Sequence, residues 1–138
     1  TQSTADTNRE FLLRDGSTRM VECKKRPWGN MEIFSENTIS TVKLLTINAG
    51  QCLSKQRHYC RDELFIALDD NVGFQIEEKR VVLEKGDYII IPRGVTHRVS
   101  AYKNSARVLE VIYGFYDQIH DLERLEDKYG RVDSNGTV

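Results

Sequence analysis

The strongest constraint on this chain is a run of short β-branched segments, each closed by a turn signal. Ile39 to Ile47 reads ISTVKLLTI and stops at Asn48-Ala49-Gly50. Segments of the same kind follow at Glu63 to Leu68, Val72 to Ile76, Arg80 to Leu83, Tyr88 to Ile91, His97 to Ser100 and Ala106 to Tyr113. Between them stand Asp69-Asp70-Asn71, Glu84-Lys85-Gly86, Pro92-Arg93-Gly94 and Lys103-Asn104-Ser105, residues that favour turns through positive φ, a fixed φ or side-chain bonds to the backbone. Valine, isoleucine, threonine and the aromatics suit a pleated, half-buried surface. Strands this short at this spacing predict an all-β sandwich or barrel. No stretch of helical period precedes Asp117, and Asp117 to Lys128 (DQIHDLERLEDK) is expected to form one or two helical turns or an irregular tail.

With 138 residues, the chain is long enough for one core and too short for two. The expected layout is a polar N-terminal segment over 1–24, a main domain over 25–131 and a flexible tail over 132–138. Thr1 to about Asn8 is too polar to offset ordering entropy and is expected to be disordered. Arg19 to Cys23 reads as a short strand able to cross to a second copy, so a homodimer is expected. Pro27, in Arg26-Pro27-Trp28-Gly29, marks a break before the main domain, with Trp28 expected as a packing anchor. A formal net charge of -1 removes the electrostatic case for nucleic acid. No apolar run approaches the roughly 20 residues that cross a bilayer, so no membrane partner is expected. Cys23, Cys52 and Cys60 form no C-x-x-C pair and leave an odd one over, which fits a reducing, cytoplasmic setting. Cys60 is expected as a buried, inert thiol.

Two of the three histidines sit in a regular frame. Gly50, Gln56, His58 and Glu63 form its first half; Gly86, Pro92, Gly94 and His97 form its second. On a strand, residues i and i+2 share a face, so Gln56 and His58 project together. A turn through Cys60-Arg61-Asp62 returns the chain to Glu63, and the Pro-x-Gly turn starts the strand that delivers His97. Two imidazoles, a carboxylate and an amide oxygen suit a divalent transition metal: zinc, manganese, iron, cobalt or nickel. A lone carboxylate ahead of Leu64-Phe65-Ile66 is costly to bury without a cation. His120 lies outside the frame and is expected at the surface.

This spacing resembles both motifs of the cupins, with Gln56 where many of them carry the first histidine. The resemblance implies a single-domain cupin, a double-stranded β-helix or jelly-roll barrel. Four segments resemble type II phosphomannose isomerase more specifically: Arg26-Pro27-Trp28-Gly29; Leu53-Ser54-Lys55-Gln56-Arg57-His58 with Arg61 and Glu63; Ile91-Pro92-Arg93-Gly94-Val95-Thr96-His97-Arg98; and Arg124-Leu125-Glu126-Asp127-Lys128-Tyr129-Gly130-Arg131. That family implies a metal-assisted aldose–ketose isomerase acting on a sugar phosphate. By resemblance, Gln56, His58, Glu63 and His97 hold the metal, and Arg61 and Glu63 are active-site residues. Lys55, Tyr88, Arg98 and Tyr113 join Arg61 as candidates for the substrate, and Lys55, Tyr88 and a metal-bound hydroxide stay open as the base. The family histidine directly after the metal glutamate is Leu64 here, and leucine cannot transfer a proton. Two rival readings follow: another metal-dependent cupin reaction (oxygenase, epimerase or lyase), and a non-catalytic module that binds a sugar or sugar nucleotide.

Overall fold

Strand alternation decides which side chains each of these segments buries, and that sorting builds the site. The computed structural model describes residues 7–13, 16–114, 116–117 and 119–131. The tail over 132–138 and the first six residues lie outside the described residues. All described secondary structure is β or turn, as the turn-punctuated pattern predicts, and no described helix is long and apolar enough to cross a membrane.

The chain divides into two compact units, Thr1–Thr38 and Ile39–Val138. The first contains β1 (Thr7–Leu12), β2 (Thr18–Arg26) and β3 (Gly29–Ile33), an antiparallel sheet in the order β1-β2-β3. Thr7 and Asn8 therefore belong to a strand, pairing with Cys23 and Glu22. Arg19 to Cys23 pairs with β1 of its own chain, and Glu22 and Cys23 pair with β3 as well. Pro27 marks a hairpin tip rather than a domain boundary, since Arg26 pairs directly with Gly29. Trp28, at that tip, is 72% exposed, which does not fit the packing anchor expected of it.

The second unit holds β4 (Ser40–Ile47), β5 (Lys55–Arg57), β6 (Glu63–Ala67), β7 (Val72–Ile76), β8 (Lys79–Leu83), β9 (Tyr88–Ile91), β10 (His97–Ala101), β11 (Ala106–Tyr113) and β12 (Glu123–Glu126). One sheet runs β12-β5-β10-β7-β8 and the other β4-β11-β6-β9, the two-sheet arrangement of a jelly roll. Phe65, Ala67, Ala106 and Val108 from one sheet meet Val72, Phe74, Val99 and Ala101 from the other in a single core. Phe65 and Phe74 pack edge to face with ring centroids 5.4 Å apart.

The C-terminal segment departs from the helical expectation. Glu123 to Glu126 is a strand, pairing Glu123 with Arg57 and Arg124 with Gln56. A helix would have set Glu123 beside Asp127 and Arg124 beside Lys128, both like-charged pairs. Pairing with β5 instead sets Glu123 against a cation, with Arg57 donating to it at 2.7 Å.

Candidate metal centre

His58 directly follows the short strand β5, Glu63 opens β6 and His97 opens β10, so all three lie at strand ends at one end of the barrel. The Pro-x-Gly turn fastens this end together. Gly94 adopts φ +80°, a backbone shape that glycine takes without a Cβ penalty. Its N–H donates to the carbonyl of His58 at 2.6 Å, and the Arg93 N–H donates to Asp62 at 2.9 Å. The two halves of the sequence frame are thus bonded to each other.

The three ligand atoms all lie within 4.8 Å of one another, on buried residues. Glu63 Oε1 is 2.8 Å from His58 Nε2 and 3.8 Å from His97 Nε2. What makes this arrangement unusual is where the protons are. His58 Nδ1 lies 2.7 Å from the Asp121 carbonyl and His97 Nδ1 lies 3.0 Å from the Val95 carbonyl. A carbonyl only accepts, so each Nδ1 carries a proton; the Arg61 guanidinium, which can only donate, meets the lone pair of His58 Nε2 at 3.1 Å, and burial keeps the His97 ring neutral with its lone pair on Nε2. Both lone pairs therefore face a carboxylate that also has only lone pairs to offer. Neither Glu63 oxygen completes a hydrogen bond of good geometry.

Three donors aimed at one point without a proton between them are what a cation requires. Part of that charge comes from Arg61, which is buried. Its Nη2 sits 3.1 Å from His58 Nε2 and its Nε 3.5 Å from Glu63 Oε1. The guanidinium leaves the site incomplete, since its Nε and Nη1 have no hydrogen-bond partner.

Titration follows from the same neighbours. Burial works against ionising Glu63, yet close contact with Glu110 and with the His58 and His97 rings holds its carboxyl below the usual range. Glu110 goes the other way: burial first, then the nearness and charge of Glu63, push it well above the usual range. The pair shares one proton. Burial pushes His97 down, which keeps its ring neutral and able to ligate.

The register places the other sequence candidates. Gln56 is the direct cross-strand partner of His97, so it shares the inward face with the ligands. Lys55, one residue away on β5, projects to the opposite face. On the same alternation, Arg98 points away from His97, Tyr88 away from Ile89 and Ile91, and Tyr113 away from Ile112 and Glu110. The structure thus brings together Gln56, His58, Arg61, Glu63 and His97, and sets Lys55, Tyr88, Arg98 and Tyr113 on the outer faces. Leu64 is also outward and fully buried, so a leucine there takes nothing out of the cavity. Cys60 is exposed rather than buried, because its loop lies at the surface. His120 is exposed beside Asp117, as expected.

Three contributors were not assigned roles from the sequence. Glu110 lies on the inward face of β11, opposite Phe65 and Lys43. Asp121 accepts from His58 through its carbonyl, and its carboxylate accepts from the backbone N–H groups of Tyr59 at 2.7 Å and Cys60 at 3.1 Å. It holds the ligand loop in place. Arg124, the partner of Gln56, is buried on the inward face with its Nε unpartnered. Alternation applied to Ala106–Tyr113 would have marked Glu110 as inward. No sequence signal marked Asp121.

Comparison with known proteins gives the family. The profile for the mannose-6-phosphate isomerase C-terminal domain matches residues 14–127. The chain belongs to this family. It is 32% identical over 107 residues to a mannose-1-phosphate guanylyltransferase of Salmonella montevideo, covering 77% of this chain and 23% of that one. It is 34% identical over 108 residues to the xanthan biosynthesis protein XanB of Xanthomonas campestris, covering 78% and 23%. The chain thus spans less than a quarter of the length of these relatives. A cupin-2 domain containing protein from Shewanella frigidimarina superposes with a TM-score of 0.51 at 20% identity, over 59% of this chain and 78% of the other. The fold is that of a cupin.

Proposed function

We propose that this member of the mannose-6-phosphate isomerase C-terminal family is a metal-dependent domain that interconverts aldose and ketose forms of a sugar phosphate. The observation that carries this reading is the convergence of three proton-free donor atoms, His58 Nε2, Glu63 Oε1 and His97 Nε2, beside the buried cation of Arg61. Those three residues would hold a divalent transition metal, with Gln56 as the fourth contributor on the shared face. Bound there, the metal supplies Lewis acidity toward a carbonyl oxygen, which acidifies the adjacent C–H.

The chain's own residues would do the remaining work. Asp121 and Val95 fix the imidazole orientations through their carbonyls, the role that outer partners of metal-bound histidine usually take. Arg61 stands where negative charge develops, and a guanidinium in a dry site stabilises such charge without reorganising. Arg124, inward and with an unsatisfied N–H, is suited to hold the phosphate end of the substrate. Phe65, its ring 6.0 Å from that of His97, closes the floor of the site against water.

The test is metal analysis of the purified protein followed by isomerisation assays across hexose and pentose phosphates. Metal-dependent turnover that is lost in His58→Ala is the expected result. Saturable binding of a sugar phosphate without turnover, metal being bound, would support the binding-module reading instead. Oxygen uptake on an iron-loaded sample would point to another cupin reaction.

A further inference from the structure

On β10 the chain alternates between two surfaces: His97 faces the barrel interior and Arg98 faces out. Arg98 pairs with Gln75 on β7, and Gln75 pairs with Arg80 on β8. The three therefore form one row across the outer face of three neighbouring strands, with the two arginines roughly 10 Å apart at their Cα atoms. A cleft of about 260 Å³ opens over this row, bounded also by Gln51, Ser100 and Tyr102. We propose that this outer cleft is a binding site for a small phosphate monoester, held through its phosphate by Arg80 and Arg98.

The cleft is rich in donors. None of its lining residues is acidic. Three of the five N–H groups of Arg98 are used, its Nε by the Leu53 carbonyl at 3.0 Å and the others by Glu126. That leaves two in a side chain already braced. The ion pair with Glu126 lies at the surface, on a carboxylate that is 62% exposed, so it competes weakly for the guanidinium. Among the described residues Arg80 makes no ion pair. Gln51 contributes through its amide orientation: its Oε1 accepts from Lys128 Nζ at 2.9 Å and from Tyr129 Oη at 2.6 Å. A lysine ammonium can only donate, so the other branch of that amide is the NH2. Lys128 adds a third positive charge at the rim.

Gly73 shapes the cleft. A Cβ at this position would lie 2.5 Å from Tyr102 Oη and 2.7 Å from Ser100 Oγ, so only glycine lets both hydroxyls close over β7. The volume is smaller than the roughly 300–1,000 Å³ of drug-sized sites, and matches a phosphate carrying a few polar atoms. Arginine forks suit such an oxyanion in bidentate geometry.

The test is a titration followed residue by residue by backbone amide NMR, on the metal-free protein and on His58→Ala. Hexose 6-phosphate, inorganic phosphate and unphosphorylated hexose are the probes. The expected result is saturable hexose 6-phosphate binding in both samples, with shifts centred on Gln75, Arg80 and Ser100 and none from the unphosphorylated sugar. Arg80→Ala should weaken it at least tenfold, and Gly73→Ala, which displaces the Tyr102 phenol, should weaken it too. Unchanged affinity in Arg80→Ala, shifts confined to the barrel interior, or inorganic phosphate binding as tightly as the monoester would each overturn the proposal. Because the metal centre is disabled in both samples, its failure as an isomerase site leaves this result untouched.

Discussion

At the scale of single residues, the case for a metal centre rests on proton placement as much as on distance. Two backbone carbonyls hold the imidazole protons at Nδ1, and the Nε2 lone pairs converge on Glu63. Removing an outer partner should therefore loosen the metal without touching a ligand. Asp121→Ala strips the acceptor from the Tyr59 and Cys60 N–H groups, and a metal affinity reduced about 10- to 100-fold is expected. Competition against a chelator of known affinity measures it. Glu110 gives a second prediction, from its raised titration. A group raised on folding contributes its stability fully below its unfolded value, 4.5 here, and loses it as pH rises. Glu110→Gln, which stays neutral, should match the metal-free wild type near pH 4 and be more stable at pH 7 to 8. The gap should grow by up to about 1.4 kcal/mol per pH unit until Glu110 ionises, and urea melts at several pH values would show it. A gap that shrinks with rising pH would contradict the shared-proton account.

At the scale of elements, the second-unit strands rich in β-branched residues were legible because alternation and turn residues mark both their faces and their ends. Glu63, His97 and the inward position of Gln56 follow from that alternation alone. β12 was not legible, because it is short and built mostly of charged residues whose strand state comes from pairing with β5. In Glu123 to Glu126 the local composition favoured a helix and the cross-strand Arg57–Glu123 contact prevailed. The outward placement of Lys55 and Arg98 shows the limit of sequence distance: a residue one step from a candidate ligand lies on the other side of the sheet. The β12 pairing also carries a prediction. Glu123→Lys sets a like charge against Arg57, which is destabilising directly across a strand pair. It should release β12 and the Asp121 carbonyl with it, seen as faster hydrogen exchange over 55–60 and weaker metal binding. By contrast, Phe65→Ala in the shared core should cost about 3–5 kcal/mol in a urea melt.

At the scale of the whole molecule, a candidate metal site occupies one end of a small two-sheet core, built into a chain that matches under a quarter of its relatives' length. Dimerisation, expected from the strand-forming N-terminal segment, is open to gel filtration. A species near twice 15.9 kDa is the outcome that expectation predicts, and a monomer would end it. The most direct test of the central claim is the metal content of the protein after loading with a divalent transition metal and gel filtration, compared with His97→Ala treated alike. The account predicts close to one ion per chain in the wild type and almost none in the variant. A folded wild type that retains no metal, or a variant that retains as much, would contradict it.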